Sequence, residues 1–168
     1  WLSCNTCREL IPTCNVTVDS IDAIVSIVHD PEVPVLTIKD LGILRSISQK
    51  DDIWVVEITP TYSGCPAMKT IESEIKEALL SKGISNVEIV SSLSPAWTTD
   101  WLSEEGKRKL EAYGIAPPVD EVDKSVLFSK DPIVPCPLCK SKHTKMISQF
   151  SSTACKAHFQ CQDCLEPF

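Results

Sequence analysis

The chain has 168 residues and a formal net charge of −7 at pH 7. This acidic balance excludes a general nucleic-acid or membrane-surface binder, and no apolar run approaches the length needed to span a bilayer. Nine cysteines, an odd number grouped in clusters, favour metal ligation in a reducing, cytoplasmic compartment over a disulfide framework. The chain begins at Trp1 without a signal-peptide pattern or an initiator Met, so we expect a fragment or a processed chain.

Composition divides the chain into four parts. Residues 1–18 form an N-terminal extension, and residues 19–118 carry the regular apolar periodicities of an α+β domain. Residues 119–135 are acidic and bordered by prolines, which is typical of a linker. Residues 136–168 are rich in cysteine and poor in large apolar side chains, so we expect this part to need metal to fold.

The first predicted element is a helix, because apolar residues recur at a spacing of three and four: Ile21, Ile24, Val25 and Val28. We expect Asp19 or Ser20 to cap it, and Asp30 and Pro31 to follow its end. A β-hairpin is predicted next, with strands at 43–48 and 53–59 around the polar turn 49–52.

An amphipathic helix is predicted over 67–82, ended by Gly83, and a third strand over 87–93. Because a helix intervenes, the third strand should return parallel to an earlier one by a right-handed crossover. The predicted fold is therefore a small α-β-β-α-β domain with a mixed sheet. A short polar helix capped by Ser103 extends it over 103–113.

Cys65 lies at the corner between the second strand and the long helix. Pro66 suits the first helical position, which places Cys65 at or beside the N-cap. A thiol facing the free N–H groups and the positive end of a helix tends toward thiolate, the form that attacks electrophiles and binds metals. A small buried cysteine in a turn is an equal alternative. Because no convincing general base accompanies Cys65, thiol catalysis is the weakest hypothesis.

Four other cysteines form two Cys-x-x-Cys knuckles: Cys136, Cys139, Cys161 and Cys164. Two such knuckles complete a tetrahedral site of four thiolates. We predict a structural zinc ion, with an iron site or unligated thiols as alternatives. Such a closed site leaves no position for substrate, so it would not be catalytic. The ribbon carries no strong basic patch, and a protein contact is therefore favoured over nucleic acid.

The remaining cysteines are less easily interpreted. Cys155 lies shortly before Cys161 and either substitutes for a ligand or forms a separate thiol; we favour the second. Cys4, Cys7 and Cys14 lack a fourth ligand nearby, so a mobile terminus is favoured over a metal site.

Two further features of the main domain also leave alternatives open. Asp40 either caps a local turn or acts beside Cys65. Trp97 and Trp101 either anchor the core or form an interface, which we favour.

Three segments of the main domain suggest a family: Asp30-Pro31-Glu32, Asp40-Leu41-Gly42-Ile43 and Thr59-Pro60-Thr61-Tyr62-Ser63-Gly64-Cys65-Pro66. Over roughly residues 19–93 the chain resembles the small domain of iron–sulfur cluster assembly factors of the SUF-associated type. With the segments 97–101, 113–118, 136–139 and 152–168, the whole arrangement resembles the PaaD (PaaJ) family of phenylacetate degradation. The chain ends at Phe168, where we expect relatives to continue, and Ser151 stands where we expect glycine.

The resemblance implies an accessory factor that helps mature the phenylacetyl-CoA ring-epoxidising monooxygenase. Cys65 would bind iron or an iron–sulfur cluster transiently, supported by loop residues at Asp40, Gly42, Thr61, Ser63 and Gly64. The partners would be monooxygenase components and cluster assembly proteins. Because one thiolate cannot fill four coordination positions, a homodimer is one way to complete the site. A stoichiometric structural subunit of the oxygenase is the alternative.

Overall fold

A computed structural model describes residues 16–118, 133–153 and 155–168. Its elements in chain order are α1 (Val18–Val25), β1 (Leu44–Lys50), β2 (Ile53–Ile58), α2 (Ala67–Ser81), β3 (Val87–Ser91), a 3₁₀ helix (Thr99–Trp101), α3 (Glu104–Ala112), β4 (Thr144–Ser148) and β5 (His158–Cys161). The expectations for Cys4, Cys7 and Cys14 and for most of the linker lie outside the described residues. No helix within the described ranges combines the length and the apolar character that crossing a membrane requires.

The main sheet has the predicted mixed topology. Strand β1 pairs antiparallel with β2, and β2 pairs parallel with β3. The connection from β2 to β3 runs through α2, which a parallel pair requires. The hairpin turn is shorter than predicted: Asp51 adopts a φ of 54° and β1 continues to Lys50. The order of the elements from α1 to β3 confirms the α-β-β-α-β order expected from sequence.

Two helix starts differ from the prediction. Thr17, rather than Asp19 or Ser20, caps α1, and its hydroxyl accepts the N–H of Ser20 at 3.3 Å. At α2 the N-cap is Pro66 itself, with the first helical residue at Ala67. The predicted cap of α3 is confirmed, since the Ser103 hydroxyl accepts the N–H of Gly106 at 2.9 Å.

The core of the main domain lies between helices α1 and α2 and the sheet. Helix α2 contributes Met68, Ile71, Ile75 and Leu79, which face buried side chains of α1 and β2. Removing these apolar side chains from water supplies the main favourable term in folding. A second, smaller cluster joins the loop after α1 to α3: Val33, Leu36, Leu102 and Leu110.

The C-terminal unit is a two-stranded ribbon. Strands β4 and β5 are antiparallel, and the chain end returns beside β5. Phe168 exchanges two backbone hydrogen bonds with Phe159, at 2.8 and 2.9 Å, and their rings stack with centroids 5.8 Å apart. Few of its described residues are buried, namely Cys136, Pro137, Phe159 and Cys161. So small a core needs another source of stability.

Candidate functional site

Cys65 lies one residue before the N-cap of α2. Its N–H donates to the carbonyl of Tyr62 at 3.2 Å, and its own carbonyl accepts the N–H of Met68 at 3.3 Å. The side chain is half-buried against the main core. The first turn of α2 carries no acidic residue, so no carboxylate there offsets the positive end of the helix.

The Cys65 side chain lines a cavity of about 490 Å³ between the main domain and the ribbon. Of the predicted supporting loop, Thr61 also lines this cavity, together with Tyr62. Ser63 and Gly64 are exposed at the corner and do not line it. Most of the remaining lining is apolar, including side chains from the loop after α1, from α3 and from the ribbon.

Asp40 lies elsewhere, in a network that joins its turn to α3. Its carboxylate accepts hydrogen bonds from the N–H of Thr37 at 3.0 Å and the ammonium of Lys109 at 2.6 Å, and Ser103 Oγ lies 3.3 Å away. Burial alone would raise the pKa of this carboxyl, but the bonds from Lys109 and Thr37 outweigh it and hold the pKa below its usual value. Asp40 does not line the cavity.

Gly42 and the two tryptophans, Trp97 and Trp101, lie where the turn before β1 contacts the loop after β3. A Cβ on Gly42 would lie 2.5 Å from the carbonyl oxygen of Trp101, so only glycine allows this close approach. The guanidinium of Arg45 lies over the Trp101 ring, 3.7 Å from the ring centroid, in a cation–π contact. Trp97 donates from Nε1 to the carbonyl of Leu41 at 2.8 Å and lines the cavity. Both tryptophans, expected at an interface, thus anchor the loop after β3 on the domain.

The second candidate site is the thiol group of the ribbon. The four knuckle sulfurs all lie within 4.8 Å of one another. Cys136 and Cys164 Sγ are 3.8 Å apart, and Cys139 and Cys161 Sγ are 3.5 Å apart. Tetrahedral zinc–sulfur bonds of about 2.3 Å require sulfur separations of about 3.8 Å. The donor set therefore fits a tetrahedral metal ion such as zinc.

The two knuckles have matching backbones. Lys140 and Leu165, each four residues after the first cysteine of its knuckle, adopt φ values of 62° and 66°. A hydrogen bond from the N–H of Cys164 lowers the pKa of Cys161 to about 6. A backbone bond at Glu166 acts to lower the pKa of Cys164, but burial and the neighbouring sulfurs raise it to about 12. The pKa values of the two thiols in this knuckle are thus shifted in opposite directions, as interacting groups allow.

Neighbouring polar groups fix the ribbon around these sulfurs. The Asp163 carboxylate accepts a hydrogen bond from the Ser141 hydroxyl and lies 3.1 Å from His143 Nδ1. These contacts lower the pKa of Asp163. His143 is therefore engaged with a carboxylate and does not join the four sulfurs.

Cys155 lies apart from the four-sulfur group and lines the same cavity as Cys65. Its thiol donates a hydrogen bond to Oε2 of Glu32 at 3.2 Å, a contact between residues 123 positions apart. Sequence reasoning noted Glu32 in a family segment without assigning it a role, and it gave none to Tyr62. The available signals were the two family segments that contain these residues, Asp30-Pro31-Glu32 and Thr59-Pro60-Thr61-Tyr62-Ser63-Gly64-Cys65-Pro66.

The chain thus combines a mixed α+β domain, in which a cysteine precedes the crossover helix, with a ribbon that carries a four-thiol group suited to a metal ion. Residues 19–91 match the model of the family described as "Iron-sulfur cluster assembly protein", and residues 120–168 match the "PaaD zinc beta ribbon domain". The chain belongs to the PaaD family, as its likeness to a curated relative also shows. That relative, from Escherichia coli (strain K12), is named as one of the subunits of a "Putative 1,2-phenylacetyl-CoA epoxidase". It is 47% identical over 151 residues, which cover 90% of each chain.

One solved structure supports the fold of the main domain. A domain of unknown function, DUF59, from Bacillus anthracis is 25% identical, with a TM-score of 0.51 over 55% of this chain and 90% of that one. A conserved hypothetical protein from Thermotoga maritima is 30% identical, with a TM-score of 0.48 over 56% of this chain and 94% of that one. The family resemblance and the α+β fold expected from sequence are confirmed.

Proposed function

We propose that this chain is an accessory maturation factor for a phenylacetyl-CoA ring-epoxidising monooxygenase, acting in the cytoplasm without a catalytic site of its own. Its role would be to bind iron or an iron–sulfur cluster at Cys65 and pass it to an oxygenase component. The match of residues 19–91 to an iron–sulfur cluster assembly family and the name of the Escherichia coli relative support this. The observation that carries it is the placement of the Cys65 thiol on a cavity, apart from the four-sulfur group.

In this proposal the ribbon sulfurs have a structural role and Cys65 binds the cargo. Zinc bound by the ribbon sulfurs supplies folding free energy and has no free coordination position. Cys65 provides a single thiol and leaves the other positions of its cargo open. Open positions suit transfer, because an incoming ligand of the acceptor can bind before the donor ligand leaves. Around Cys65, the apolar walls of the cavity limit water access to the cargo.

The ribbon would dock the partner proteins. Four of its large apolar side chains are exposed: Leu138, Ile147, Phe150 and Leu165. Exposed apolar groups of this kind mark contact surfaces when they lie together. Monooxygenase components and cluster assembly proteins are the expected partners.

Anaerobic reconstitution tests the proposal. The full chain, loaded with zinc and then given ferric and ferrous salts with sulfide, should retain iron and pass a cluster to a cluster-binding component of the monooxygenase. Cys65→Ala should lose both abilities, while Lys69→Ala, at an exposed position of the following helix that does not line the cavity, should keep them. If Cys65→Ala loads and transfers as well as the unmodified chain, the role of Cys65 is wrong.

A stoichiometric structural subunit is the second candidate, because the Escherichia coli relative is named as a component of the epoxidase. In that case the chain would stay in the oxygenase complex during turnover. Co-purification under turnover conditions separates the two. Stable one-to-one recovery with the oxygenase favours the structural role, whereas an oxygenase fully active after the chain is removed favours the maturation factor.

A further inference from the structure

The cavity between the two units has a thiol in each wall. Cys65 belongs to the main domain and Cys155 to the ribbon, and both line the same space of about 490 Å³. The two thiols belong to different units of the chain, so the docking of the ribbon is what brings them to one cavity. Thiolates are the ligands that iron–sulfur clusters and soft metal ions select.

Direct contacts hold the Cys155 segment against the main domain. The Cys155 thiol donates to Glu32 Oε2 at 3.2 Å, and Lys156 Nζ donates to the Glu32 carbonyl oxygen at 3.3 Å. Asp30, which is buried, fixes the loop that presents Glu32: its Oδ1 accepts the N–H of Glu32 at 2.8 Å and of Val33 at 2.7 Å. Cys155 is therefore placed by a preorganised loop.

Tyr62 lines the same cavity as the two thiols, and its carbonyl oxygen accepts the N–H of Cys65 at 3.2 Å. The cavity combines two thiols, the carboxylates of Asp30 and Glu32, the ammonium of Lys156 and one phenol within an otherwise mostly apolar lining.

We propose that Cys65 and Cys155 are the two protein ligands of one cargo site for iron or a small iron–sulfur cluster, with Glu32 beside Cys155. This deepens the proposed function and rests on it. Loading a ferrous ion would form two iron–sulfur bonds and release the two thiol protons to solvent, with no change of oxidation state. Two protein sulfurs leave coordination positions for the ligands of a donor or acceptor protein.

The geometry also separates this site from the ribbon site. Among the described residues, three or more ligand atoms lie within 4.8 Å of one another in the four-sulfur group alone. The ligand atoms of Cys65, Cys155 and Glu32 therefore do not all lie this close together, and their site is more open than the ribbon site. Both sulfurs come from a single chain, so this site replaces the homodimer as the means of adding a second thiol to Cys65.

Iron retention tests the pairing. The full chain, with zinc in the ribbon and Cys4, Cys7 and Cys14 changed to Ser, is loaded anaerobically with ferrous iron and then desalted. Cys155→Ser and Cys65→Ser should each weaken iron retention at least about tenfold. The double variant should be no weaker than the weaker single one, because the two thiols act as a unit. Ser152→Ala, in the same exposed segment but outside the cavity lining, should retain iron normally.

The outcomes separate this proposal from the broader one. If Cys155→Ser retains iron normally while Cys65→Ser does not, the paired site is wrong and the maturation role of Cys65 stands. If Cys65→Ser retains iron normally, the role of Cys65 itself is wrong. Mixing the two single variants should restore nothing, and restored retention would show that the cargo is shared between chains.

A metal-free measurement checks the geometry. Dibromobimane, a short reagent that joins two nearby thiols, should link Cys65 to Cys155 within one chain, as identified by peptide mass. Zinc content and near-ultraviolet circular dichroism confirm that each variant is folded. Linkage found only between chains, or none with both thiols alkylated singly, would overturn the paired site.

Discussion

The carboxylate of Asp40 and the ammonium of Lys109 lie 2.6 Å apart, although 69 positions separate them in the chain. The pair joins the turn before β1 to α3. The Asp40 side chain is 11% exposed and that of Lys109 is 35% exposed, so the pair is shielded more than an ordinary surface pair. The backbone carbonyl of Asp40 also accepts the N–H of Ser103 at 2.8 Å. Asp40 thus holds the helical extension on the domain.

We expect Asp40→Asn to lower the free energy of unfolding by about 1–3 kcal/mol at pH 7, since bonds to a charged group are lost. The folded pKa of Asp40 is depressed, so its contribution is complete above the unfolded pKa of about 3.9 and disappears as the pH falls through the folded pKa. The difference between variant and unmodified chain should therefore shrink below about pH 4. Urea denaturation followed by tryptophan fluorescence measures it.

Asp22→Asn is the matched control for that experiment. Asp22 pairs with Lys39 at 2.5 Å, but both side chains are exposed, at 37% and 57%. Exposed pairs contribute about 0–1 kcal/mol. Equal losses for the two variants, or an Asp40→Asn loss that stays constant down to pH 3, would contradict the assigned role of Asp40.

Gly42 lies in a turn where any larger residue would clash with Trp101. Its φ is +68°, and an added Cβ would meet Trp101 atoms at 2.5 and 2.7 Å. Gly42→Ala should therefore cost about 2–4 kcal/mol, the sum of left-handed strain and overpacking. Gly83→Ala, with a φ of +79° and no atom within 4 Å of the added Cβ, should cost only about 1–2 kcal/mol. Thermal unfolding of both variants measures the difference, and equal costs would show that Trp101 yields freely.

Much of the main domain could be predicted because its pattern is local. The apolar residues of α2 recur at helical spacing, so this helix can be predicted from local sequence alone: Met68, Ile71, Ile75 and Leu79. The prediction of the α1 cap was wrong because three nearby residues all have side chains suited to capping: Thr17, Asp19 and Ser20. Sequence alone does not show which of several adjacent candidates the chain uses.

The two candidate sites also differ in how far they can be predicted from local sequence. The ribbon sulfurs follow from spacing, because each knuckle brings its own two cysteines together. The Cys155–Glu32 contact depends on how the ribbon docks, which no local pattern encodes. The position of Asp40 beside Lys109 is likewise a tertiary result. Reasoning from sequence placed Asp40 in a turn or beside Cys65, and could not choose between them.

Removing zinc should unfold the ribbon and leave the main domain folded. The ribbon buries few residues, whereas the main domain has its own extended core. After treatment with a chelator, amide hydrogen exchange measured by mass spectrometry should accelerate over β4 and β5 and stay slow over α2. Added zinc should reverse the change. Because binding displaces thiol protons, including that of Cys164 with its raised pKa, zinc affinity should fall as the pH falls.

Such zinc removal also has a clear contradicting result. Protected amides in β4 and β5 after complete chelation, verified by metal analysis, would show that Phe159, Phe168 and their hydrogen bonds suffice to hold the ribbon. Accelerated exchange over α2 would show instead that the two units unfold together.

Alkylation of Cys155 reports on its contact with Glu32. Burial first, and then the Glu32 carboxylate, raise the pKa of the Cys155 thiol, while Thr153 and Lys156 oppose the shift. Because the thiolate is the reacting form, Glu32→Gln should lower the midpoint of the pH–rate profile and speed iodoacetamide labelling at pH 8. Lys156→Gln should act in the opposite direction, raising the midpoint and slowing labelling. Peptide mass spectrometry measures both rates, and unchanged midpoints in the two variants would mean that the ribbon does not dock at Glu32 in solution.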